Sequence, residues 1–319
     1  MMSAGRKTTD CIRTETRAAG GGKIRRISRS SGEYPVQLAS VPSAPDALHV
    51  WGRLVGDDAL AVAVVGSRRA TAYGVDTAER LGADLAARGV TVVSGLARGI
   101  DSAAHRGALA AGGRTIAVLG SGADVIYPPE NRALARRIAE SGAVVSQFEP
   151  GTPPLPQHFP ERNRVIAGLA LGVVVVEAAE RSGSLITAGF AAELGREVMA
   201  VPGRVSSAES RGAHRLIQDG AALVQGWEDV IAQLPARWRA CVGRSAAGDD
   251  AATRAPERAE GGDAGGVLQT LGEEPMTIDE IIDRSGIASG RVAALLVELE
   301  LGGRVRQVDG KRFVPARQG

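Results

Sequence analysis

Aromatic residues and cysteines are scarce in this 319-residue sequence, and both shortages limit what the chain can be. Aromatic side chains make up only 3% of the residues, too few for a long platform on which planar ligands stack. The two cysteines, Cys11 and Cys241, lie in segments that we predict to be disordered, so we expect neither a disulfide framework nor a metal site. No apolar run approaches the roughly 18 residues that cross a bilayer. Residues 1–33 lack the apolar stretch of a signal peptide, so we expect a cytoplasmic protein.

Charge is nearly balanced over the whole chain, and the formal net charge of +2 favours no class of partner. The distribution is uneven at the N-terminus. Between residues 1 and 30 lie eight basic and two acidic residues, in a segment rich in Gly, Ser and Thr. We predict a basic, disordered arm over residues 1–33, and contact with phosphates is the alternative role for its side chains.

Short apolar strands alternate with helical stretches from residue 61 onward, which is typical of a parallel sheet covered on both faces. The helical stretch after the first strand ends at Gly89, and Ser184 is the predicted N-cap of a later helix. We predict a doubly wound, mostly parallel α/β sheet of Rossmann-like type over residues 34–235. Its predicted strands lie at residues 61–66, 90–95, 115–120, 143–148, 172–178 and 197–202.

The last quarter of the chain, from residue 236 onward, has a different character. Residues 236–265 are rich in Ala, Gly and charge without an apolar period, which predicts a linker. Residues 266–317 then show three short helices and two strands around a hairpin dipeptide at 309–310, the pattern of a small winged-helix domain. Thr277 and Glu280 have the spacing of a capping box at the start of its second helix.

The charges of this domain argue against sequence-specific reading of duplex DNA. Its third helix carries one basic residue, Arg291, and two acidic residues, Glu298 and Glu300. A helix that recognises a DNA sequence needs side chains that reach the base edges. The wing is more basic, so weak backbone contact or partner docking is the stronger hypothesis. Its basic residues are Arg304, Arg306, Lys311 and Arg312.

Four loops that follow predicted strands are rich in small residues: GSRRA, SGLARGID, GSGADVIYPPENR and ERSGS. Ligands of doubly wound sheets bind outside the carboxyl ends of the strands. Glycine lets the backbone approach a ligand, and helix N-termini present unpaired N–H groups and a positive dipole end. The sequence therefore predicts an anion-binding crevice. Its candidate small residues are Gly66, Ser67, Ser94, Gly95, Gly120, Ser121, Gly122, Ser182, Gly183 and Ser184.

Arginines accompany these loops and FPERNR, residues 159–164. Arginine pairs bidentately with phosphate, and several along one edge favour a polyanion backbone over one small molecule. For Arg69 and Arg98, pairing with carboxylates that tie loops together is an equal alternative. Phe159 is the one aromatic residue that we place at the crevice, with a buried loop anchor as the alternative. The candidate cations are Arg68, Arg69, Arg98, Arg162 and Arg164.

Motifs for cofactors and catalysis are missing or weak. The chain has neither GxGxxG after its first strand nor a Walker sequence, so we expect no cofactor. Asp101 stands where an N-cap belongs, and His105 is expected to be a satisfied structural histidine. Glu177 ends a buried strand and could accept a hydrogen bond from a base edge or sugar hydroxyl. No nucleophile with its base and no carboxylates at metal-ligand spacing are present, so we expect no catalytic residues.

A series of segments resembles the DNA-processing protein A family, also called DprA or Smf. The segments are GSR (66–68), 94–109, 115–132, 159–169, 174–188 and 195–203, and the C-terminal pattern resembles the family's winged-helix domain. The resemblance implies a protein that binds and protects incoming single-stranded DNA in natural transformation and helps to load the RecA recombinase. It also implies a homodimer built through the Rossmann-like domain and no catalytic activity.

The resemblance also assigns site residues. The GSR arginine is Arg68, the FxxRNR group is Phe159, Arg162, Asn163 and Arg164, and the loops 120–122 and 182–184 complete the pocket. Two features depart from the family pattern. Only about 33 poorly patterned residues stand where many relatives have a sterile-alpha-motif-like domain, and Pro129 replaces a loop lysine, for which Arg132 is the candidate substitute.

Two other functions remain as alternatives. A Rossmann-like nucleotide phosphoribohydrolase would use glycine-rich loops on the same sheet edge, although the chain lacks its PGGxGTxxE signature. A transcription regulator would use the winged helix, and the acidic third helix disfavours that function.

Overall fold

The computed structural model describes the chain in two parts. In the first part it describes residues 16–17 and 22–243. In the second it describes residues 270–271, 276–285, 287, 292, 295–296, 299–300, 305–308 and 312–315. The chain divides into two compact units, residues 1–247 and 248–319.

A ten-stranded sheet forms the centre of the first unit, in the order β1-β2-β3-β7-β6-β5-β4-β8-β9-β10. The strands from β7 to β10 in this order are parallel, and β1, β2 and β3 are added antiparallel at one side. The six predicted strands are all present. The strands are β1 Thr16–Arg17, β2 Lys23–Ser28, β3 Ala47–Gly52, β4 Ala61–Val65, β5 Thr91–Ser94, β6 Thr115–Val118, β7 Ala143–Ser146, β8 Gly172–Val175, β9 Glu197–Ala200 and β10 Ala222–Leu223.

Helices cover both faces of this sheet. They are α1 Val36–Ala39, α2 Ala72–Ala86, α3 Ile100–Ala110, α4 Arg132–Ser141, α5 His158–Leu169, α6 Gly183–Glu193, α7 Arg211–Gln218, α8 Trp227–Gln233 and α9 Ala236–Arg239. All five residues of β4 are buried, because one core packs under α5 and α6 and a second packs under α2 and α3. This two-sided burial explains the unbroken apolar runs in the sequence and confirms the doubly wound architecture.

The strand order reverses next to β4, and this reversal creates the crevice. β5 pairs with one edge of β4 and β8 with the other. The connections that leave these strands run to opposite faces of the sheet, so their loops separate above the carboxyl ends. The α6 N-cap is Ser182, whose hydroxyl accepts from the Ser184 amide, so the predicted N-cap at Ser184 is wrong by two residues.

The N-terminal segment differs from the prediction of a disordered arm over residues 1–33. Lys23–Ser28 forms β2, which pairs with β3. Ile24 and Ile27 are both 4% exposed and anchor this strand to the core. Their spacing of three matches neither strict alternation nor an apolar run, so the strand signal was missed among the charged residues. Residues 1–15 and 18–21 lie outside the described residues.

The predicted linker also begins with structure. Residues 236–239 form α9, and Trp238 packs partly buried against the core beneath α2. Residues 244–265 lie outside the described residues. The described helices include none that is both long and apolar enough to cross a membrane.

The second unit has the elements of a winged helix. Helix α10, Ile278–Ser285, follows the short strand β11, Met276–Thr277, and β12, Val305–Val308, forms a hairpin with β13, Arg312–Pro315. The sheet order is β11-β13-β12. The capping box is confirmed: the Thr277 amide donates to Glu280 Oε2 at 2.7 Å, and the Glu280 amide donates to Thr277 Oγ1 at 3.4 Å. Residues 309–310, with the wing residues 304 and 311, lie outside the described residues.

Candidate functional site

An open cavity of about 770 Å³ lies at the carboxyl edge of the parallel strands. Its walls come from the loops after β4 and β8, the start of α5 and the segment before it. Ten of the predicted site residues line it together, which supports the predicted crevice, and their role in binding DNA stays a prediction. They are Gly66, Ser67, Arg68, Arg69, Phe159, Arg162, Asn163, Ser182, Gly183 and Ser184.

Arg68 is the exposed cation at the centre of this site. Its guanidinium carbon lies 5.1 Å from the centre of the Phe159 ring, a distance at which cation and ring attract. Within the described part of the chain, no carboxylate lies within 4 Å of Arg68 or of its neighbour Arg69. Both guanidinium groups are therefore available to an anion from solution.

The N-terminus of α6 adds the Gly183 amide as a donor on the wall formed by the loop after β8, since the amides of Ser184 and Leu185 already donate to Ser182. Ser182 and Gly183 start this eleven-residue helix and line the cavity. The first N–H groups of a helix have no carbonyl partner within it, and the dipole is positive at this end. This wall therefore favours an anion, as the glycine and serine residues of the loop predicted.

Arg162 is a buried brace and not a free phosphate ligand. Its side chain is 4% exposed, and Nη1 donates to the carbonyl oxygens of Gly95 at 2.5 Å and Val118 at 2.8 Å. Burial lowers the pKa of this guanidinium to about 10. Arg162 borders the cavity, but its donors tie the ends of β5 and β6 together. The expectation that it grips phosphate is corrected accordingly.

Arg164 lies away from the cavity. It pairs with Glu193 at 3.6 Å, and its guanidinium carbon lies 4.2 Å from the centre of the Phe190 ring. The FPERNR segment is part of α5, where two residues turn the side chain by about 200°, so Arg162 and Arg164 point to opposite sides. The prediction that both arginines face one ligand is wrong for this reason.

Glu177 is a structural acceptor instead of a base reader. It is 2% exposed, and its carboxylate accepts from the Thr71 amide at 2.9 Å and from Thr71 Oγ1 at 2.6 Å. Its carbonyl accepts from the Ser67 amide at 2.7 Å. A Cβ on Gly74 would lie 2.3 Å from the same carboxylate. Glu177 therefore fixes the loop after β4 to the start of α2.

Asp101 and His105 lie in the buried interior of α3. Gly99 occupies the N-cap, and Asp101 in the first turn accepts from the amides of Gly95 and Ala97 at 3.1 and 3.3 Å. Burial raises the pKa of Asp101, and nearby Arg162 opposes that rise. His105 is buried with Nδ1 2.7 Å from Thr115 Oγ1, but Nε2 has no partner among the described residues, so the expected satisfied histidine is satisfied at only one ring nitrogen. Asp101 is thus a loop acceptor, although not the predicted N-cap.

Several predicted loop residues support the site from beneath. Ser94 is fully buried, and its hydroxyl donates to the Val64 carbonyl at 2.6 Å. The hydroxyl of Ser121, also buried, donates to the Val125 carbonyl at 2.6 Å. Gly120 packs under the Phe159 ring, where a Cβ would lie 3.0 Å from a ring carbon. Neither Ser94 nor the segment Gly120–Gly122 lines the cavity, so their predicted contact with DNA is not supported.

Two arginines of the predicted set, Arg98 and Arg132, do not line the large cavity. Gly95 and Arg98 line a small side cavity of about 30 Å³ that Arg68 and Phe159 share. Arg98 forms an ion pair with Glu130, the loop-tying alternative considered for it. Arg132 is exposed at the start of α4 and lines neither of these two cavities, and its role as a substitute for the lysine stays a prediction.

Tyr127, Arg181 and Glu209 are among the lining residues that were not predicted. Tyr127, 41% exposed, has its ring centre 5.9 Å from that of Phe159 and adds a second aromatic face. Arg181 lies exposed beside the α6 N-terminus. Glu209 lies in the short turn before α7. Tyr127 and Arg181 stand inside the quoted loops and could have been included. Glu209 follows the sixth strand of the prediction, for which no loop was considered.

No metal centre is visible in the part of the chain that the structure describes, since no three His, Cys, Asp or Glu side chains are grouped closely enough to hold an ion. Cys241 is exposed and free, whereas Cys11 lies outside the described residues.

The fold is of Rossmann-like type, and its open cavity at the carboxyl edge, with glycine-rich loops, a helix N-terminus and unpaired guanidinium groups, has the features of an anion site. The family model for DNA recombination-mediator protein A matches residues 25–235, and the model for the DprA winged helix domain matches residues 251–311. The chain belongs to the DNA recombination-mediator protein A family.

Individual relatives agree with this assignment. Protein Smf of Escherichia coli K12 is 42% identical over 291 residues, which cover 89% of this chain and 75% of that protein. The X-ray structure of DNA processing protein A from Streptococcus pneumoniae is 46% identical, with a TM-score of 0.63 over 66% of this chain and 75% of that one. The same protein from Helicobacter pylori, described for its single-stranded DNA binding mode, is 28% identical, with a TM-score of 0.58 over 66% and 94% of the two chains. The family resemblance and the fold are confirmed.

Proposed function

We propose that this chain binds single-stranded DNA along the carboxyl edge of its sheet and holds it without breaking a covalent bond. The observation that carries the proposal is the exposed, unpaired guanidinium of Arg68 beside the Phe159 ring. A guanidinium binds phosphate through two parallel hydrogen bonds, and an aromatic face accepts an unpaired base. A flexible strand offers both groups at once, whereas a duplex keeps its bases stacked inside.

The charge of the cavity supports a polyanion as the ligand. Arg69 and Arg181 line it together with Arg68, and the Gly183 amide at the α6 N-terminus adds a backbone donor. These groups lie along one edge and not around a closed pocket, which suits consecutive phosphates. The Helicobacter pylori relative, which is described as binding single-stranded DNA, has the same fold over 94% of its length.

The carboxylates near the cavity support holding over catalysis. Asp101 and Glu177 are buried and accept from backbone amides, which leaves Glu209, whose Oε2 accepts from Ser67 Oγ, as the one of these three carboxylates that a ligand can reach. A phosphoribohydrolase needs a carboxylate that acts as acid or base at the sugar. Glu209 is in reach of a substrate, but the chain lacks the PGGxGTxxE signature of those enzymes, and we propose that it is not an enzyme and requires no cofactor.

In the cell, we propose that the chain protects incoming single strands in natural transformation and loads RecA onto them. We further propose a cytoplasmic homodimer built through the Rossmann-like domain. Membership of the DNA recombination-mediator protein A family supports this role. The exposed Arg306 and Arg312 of the hairpin support weak backbone contact or partner docking by the winged helix.

Fluorescence anisotropy with labelled oligonucleotides tests the binding function. We expect tighter binding of single strands than of duplex, affinity that rises with length, and affinity that falls with salt because counterions are released. Equal binding of duplex and single strands would contradict the proposal. Incubation with nucleoside monophosphates is the matched test for an enzyme, and release of free base with turnover would replace the proposal with hydrolysis.

The partners need separate measurements. Light scattering of the purified protein gives the oligomeric state, and a monomer at micromolar concentration would contradict the homodimer. RecA loading is measured as faster filament formation on strands coated with a single-strand binding protein. No acceleration over RecA alone would contradict the loading role and leave the DNA-binding function standing.

A further inference from the structure

Glu209 places a carboxylate inside a cavity that otherwise favours anions. It lies in the short turn before α7 and lines the wall next to the loop after β4. Its Oε2 accepts a hydrogen bond from Ser67 Oγ at 3.1 Å, and no cation lies within 4 Å of it among the described residues. The proposed phosphate grip does not explain this residue.

The orientation of this carboxylate is set by a relay of hydrogen bonds. The Arg69 amide donates to Ser67 Oγ at 3.1 Å, so the hydroxyl proton is directed toward Glu209. Of the two carboxylate oxygens of Glu209, only Oε2 receives a hydrogen bond from another described residue. Oε1 is the acceptor that remains for a ligand.

A carboxylate and a phosphate are both acceptors and both negative, so Glu209 cannot bind the DNA backbone. A base edge is different, because the exocyclic amino groups of cytosine, adenine and guanine donate hydrogen bonds, and carboxylates accept from cytosine N4. Thymine presents only N3–H, which lies between two carbonyl oxygens that repel a carboxylate. Glu209 therefore suits one group of bases.

We propose that Glu209 reads the edge of a bound base and favours bases with an amino group over thymine. This inference rests on the single-stranded DNA binding proposed above. Arg68, Arg69 and the α6 N-terminus hold the backbone whatever the sequence. Glu209 adds a modest preference at one position, so the strand is held at all sequences and most tightly where an amino-bearing base lies in the cavity.

The full-length protein is tested by competition anisotropy with oligo-dC, oligo-dU and oligo-dT of equal length. Uracil and cytosine differ only at the edge that Glu209 would contact, and oligo-dT reports the effect of the added methyl group. We expect wild-type protein to bind oligo-dC more tightly than oligo-dU by about tenfold, within the range of one base-specific contact. Slightly alkaline buffer keeps cytosine unprotonated.

Two variants separate base reading from charge. Glu209→Gln keeps the shape but offers either an oxygen or an N–H₂ group, so we expect the preference for oligo-dC to fall to about twofold or less. Glu180→Gln removes the same charge from the neighbouring loop, where Glu180 pairs with Arg211 at 3.7 Å and does not line the cavity. This control is expected to retain the full preference.

The outcomes distinguish this inference from the proposed function. If wild-type protein binds all three oligomers equally, or if Glu209→Gln strengthens binding of all three by the same factor, base reading is wrong and DNA binding stands. If no oligomer binds, the proposed function is wrong and this inference falls with it.

Discussion

Arg68 and Phe159 are 91 positions apart in the sequence, and the guanidinium carbon of one lies 5.1 Å from the ring centre of the other. The loop after β4 and the first turn of α5 therefore meet at one point of the cavity. Tyr127 joins them, with its ring centre 5.9 Å from that of Phe159. This contact brings an exposed cation and two aromatic faces to the same edge of the sheet.

Arg68→Ala is expected to weaken binding of every single-stranded sequence by about tenfold, because one charge-assisted contact to phosphate is lost. Since the backbone contact carries no sequence information, the loss is the same for all base compositions. The slope of log affinity against log salt becomes shallower by about 0.7 for each phosphate contact removed. Anisotropy titrations over a series of salt concentrations measure both quantities.

Arg164→Ala is the matched control for this change. It also removes one arginine, but Arg164 is paired with Glu193 and lies on the other side of α5. We expect affinity within about twofold of wild type and an unchanged salt slope. If Arg164→Ala weakens binding as much as Arg68→Ala, the cavity is not the DNA site.

The comparison of these two arginines shows where sequence reasoning is limited. The alternation of apolar strands and helices fixes the sheet, and the carboxyl-edge rule then brings the loops after β4 and β8 together. Which side chains face the cavity depends on the rotation of α5, and the sequence pattern assigns no secondary structure to FPERNR, which is helical. Arg162 and Glu177 have side chains that could bind DNA. Both are buried, however, and their hydrogen bonds hold loops of the protein together. Glu209 lies in the loop after the sixth predicted strand, and its position at the cavity depends on how that loop packs in the folded protein, which the sequence pattern does not show.

Glu177→Ala tests the structural role assigned to that carboxylate. The substitution leaves the amide and hydroxyl of Thr71 without their acceptor at the start of α2. We expect the free energy of unfolding to fall by about 2 kcal/mol, the loss of hydrogen bonds to a charged acceptor, with no larger cost because Thr71 itself is exposed to water. Affinity for single strands, measured where the variant is folded, should stay within about threefold. A large loss of affinity with unchanged stability in urea would show that Glu177 contacts the ligand.

Arg162→Met tests the buried brace and has a pH signature. The two carbonyls lose their donor and Asp101 loses its nearby cation, so we expect a loss of about 3 kcal/mol at neutral pH. Burial already raises the pKa of Asp101 and Arg162 opposes the rise, so the variant raises that pKa further. At a pH above the pKa that Asp101 has in the unfolded chain, the unfolded chain has lost the Asp101 proton while the folded variant still holds it. The free energy of unfolding of the variant therefore falls as pH rises. The loss should therefore be smaller in acid.

Urea unfolding at mildly acidic and at neutral pH measures this difference. Arg162→Lys is the control, because an ammonium keeps the charge beside Asp101 while losing the planar fork that reaches both carbonyls. Its loss of stability should be nearly independent of pH. A loss in Arg162→Met that is equal at both pH values would show that Asp101 is not coupled to Arg162.

His105 predicts a second pH dependence of opposite sign. Thr115 Oγ1 donates to the Val92 carbonyl at 2.7 Å, so it can only accept from His105, whose Nδ1 must carry the proton. A second proton would go to Nε2, which is buried without a partner among the described residues. Burial, with nearby Arg162, accordingly lowers the pKa of His105 from 6.5 to about 3.

Below about pH 6.5 the unfolded chain gains a proton at His105 that the folded chain does not, so stability falls as pH decreases toward the folded pKa. The slope approaches about 1.4 kcal/mol per pH unit for this one group. Urea unfolding of wild type and variant between about pH 6 and pH 5 isolates it by difference, since the raised pKa of Asp101 and the other three histidines contribute equally to both proteins. His105→Gln offers an N–H₂ donor to Thr115 and has no titration, so its slope should be shallower by that amount. An unchanged slope in the variant would mean that His105 takes up its proton equally in the folded and unfolded chains, so that burial does not lower its pKa.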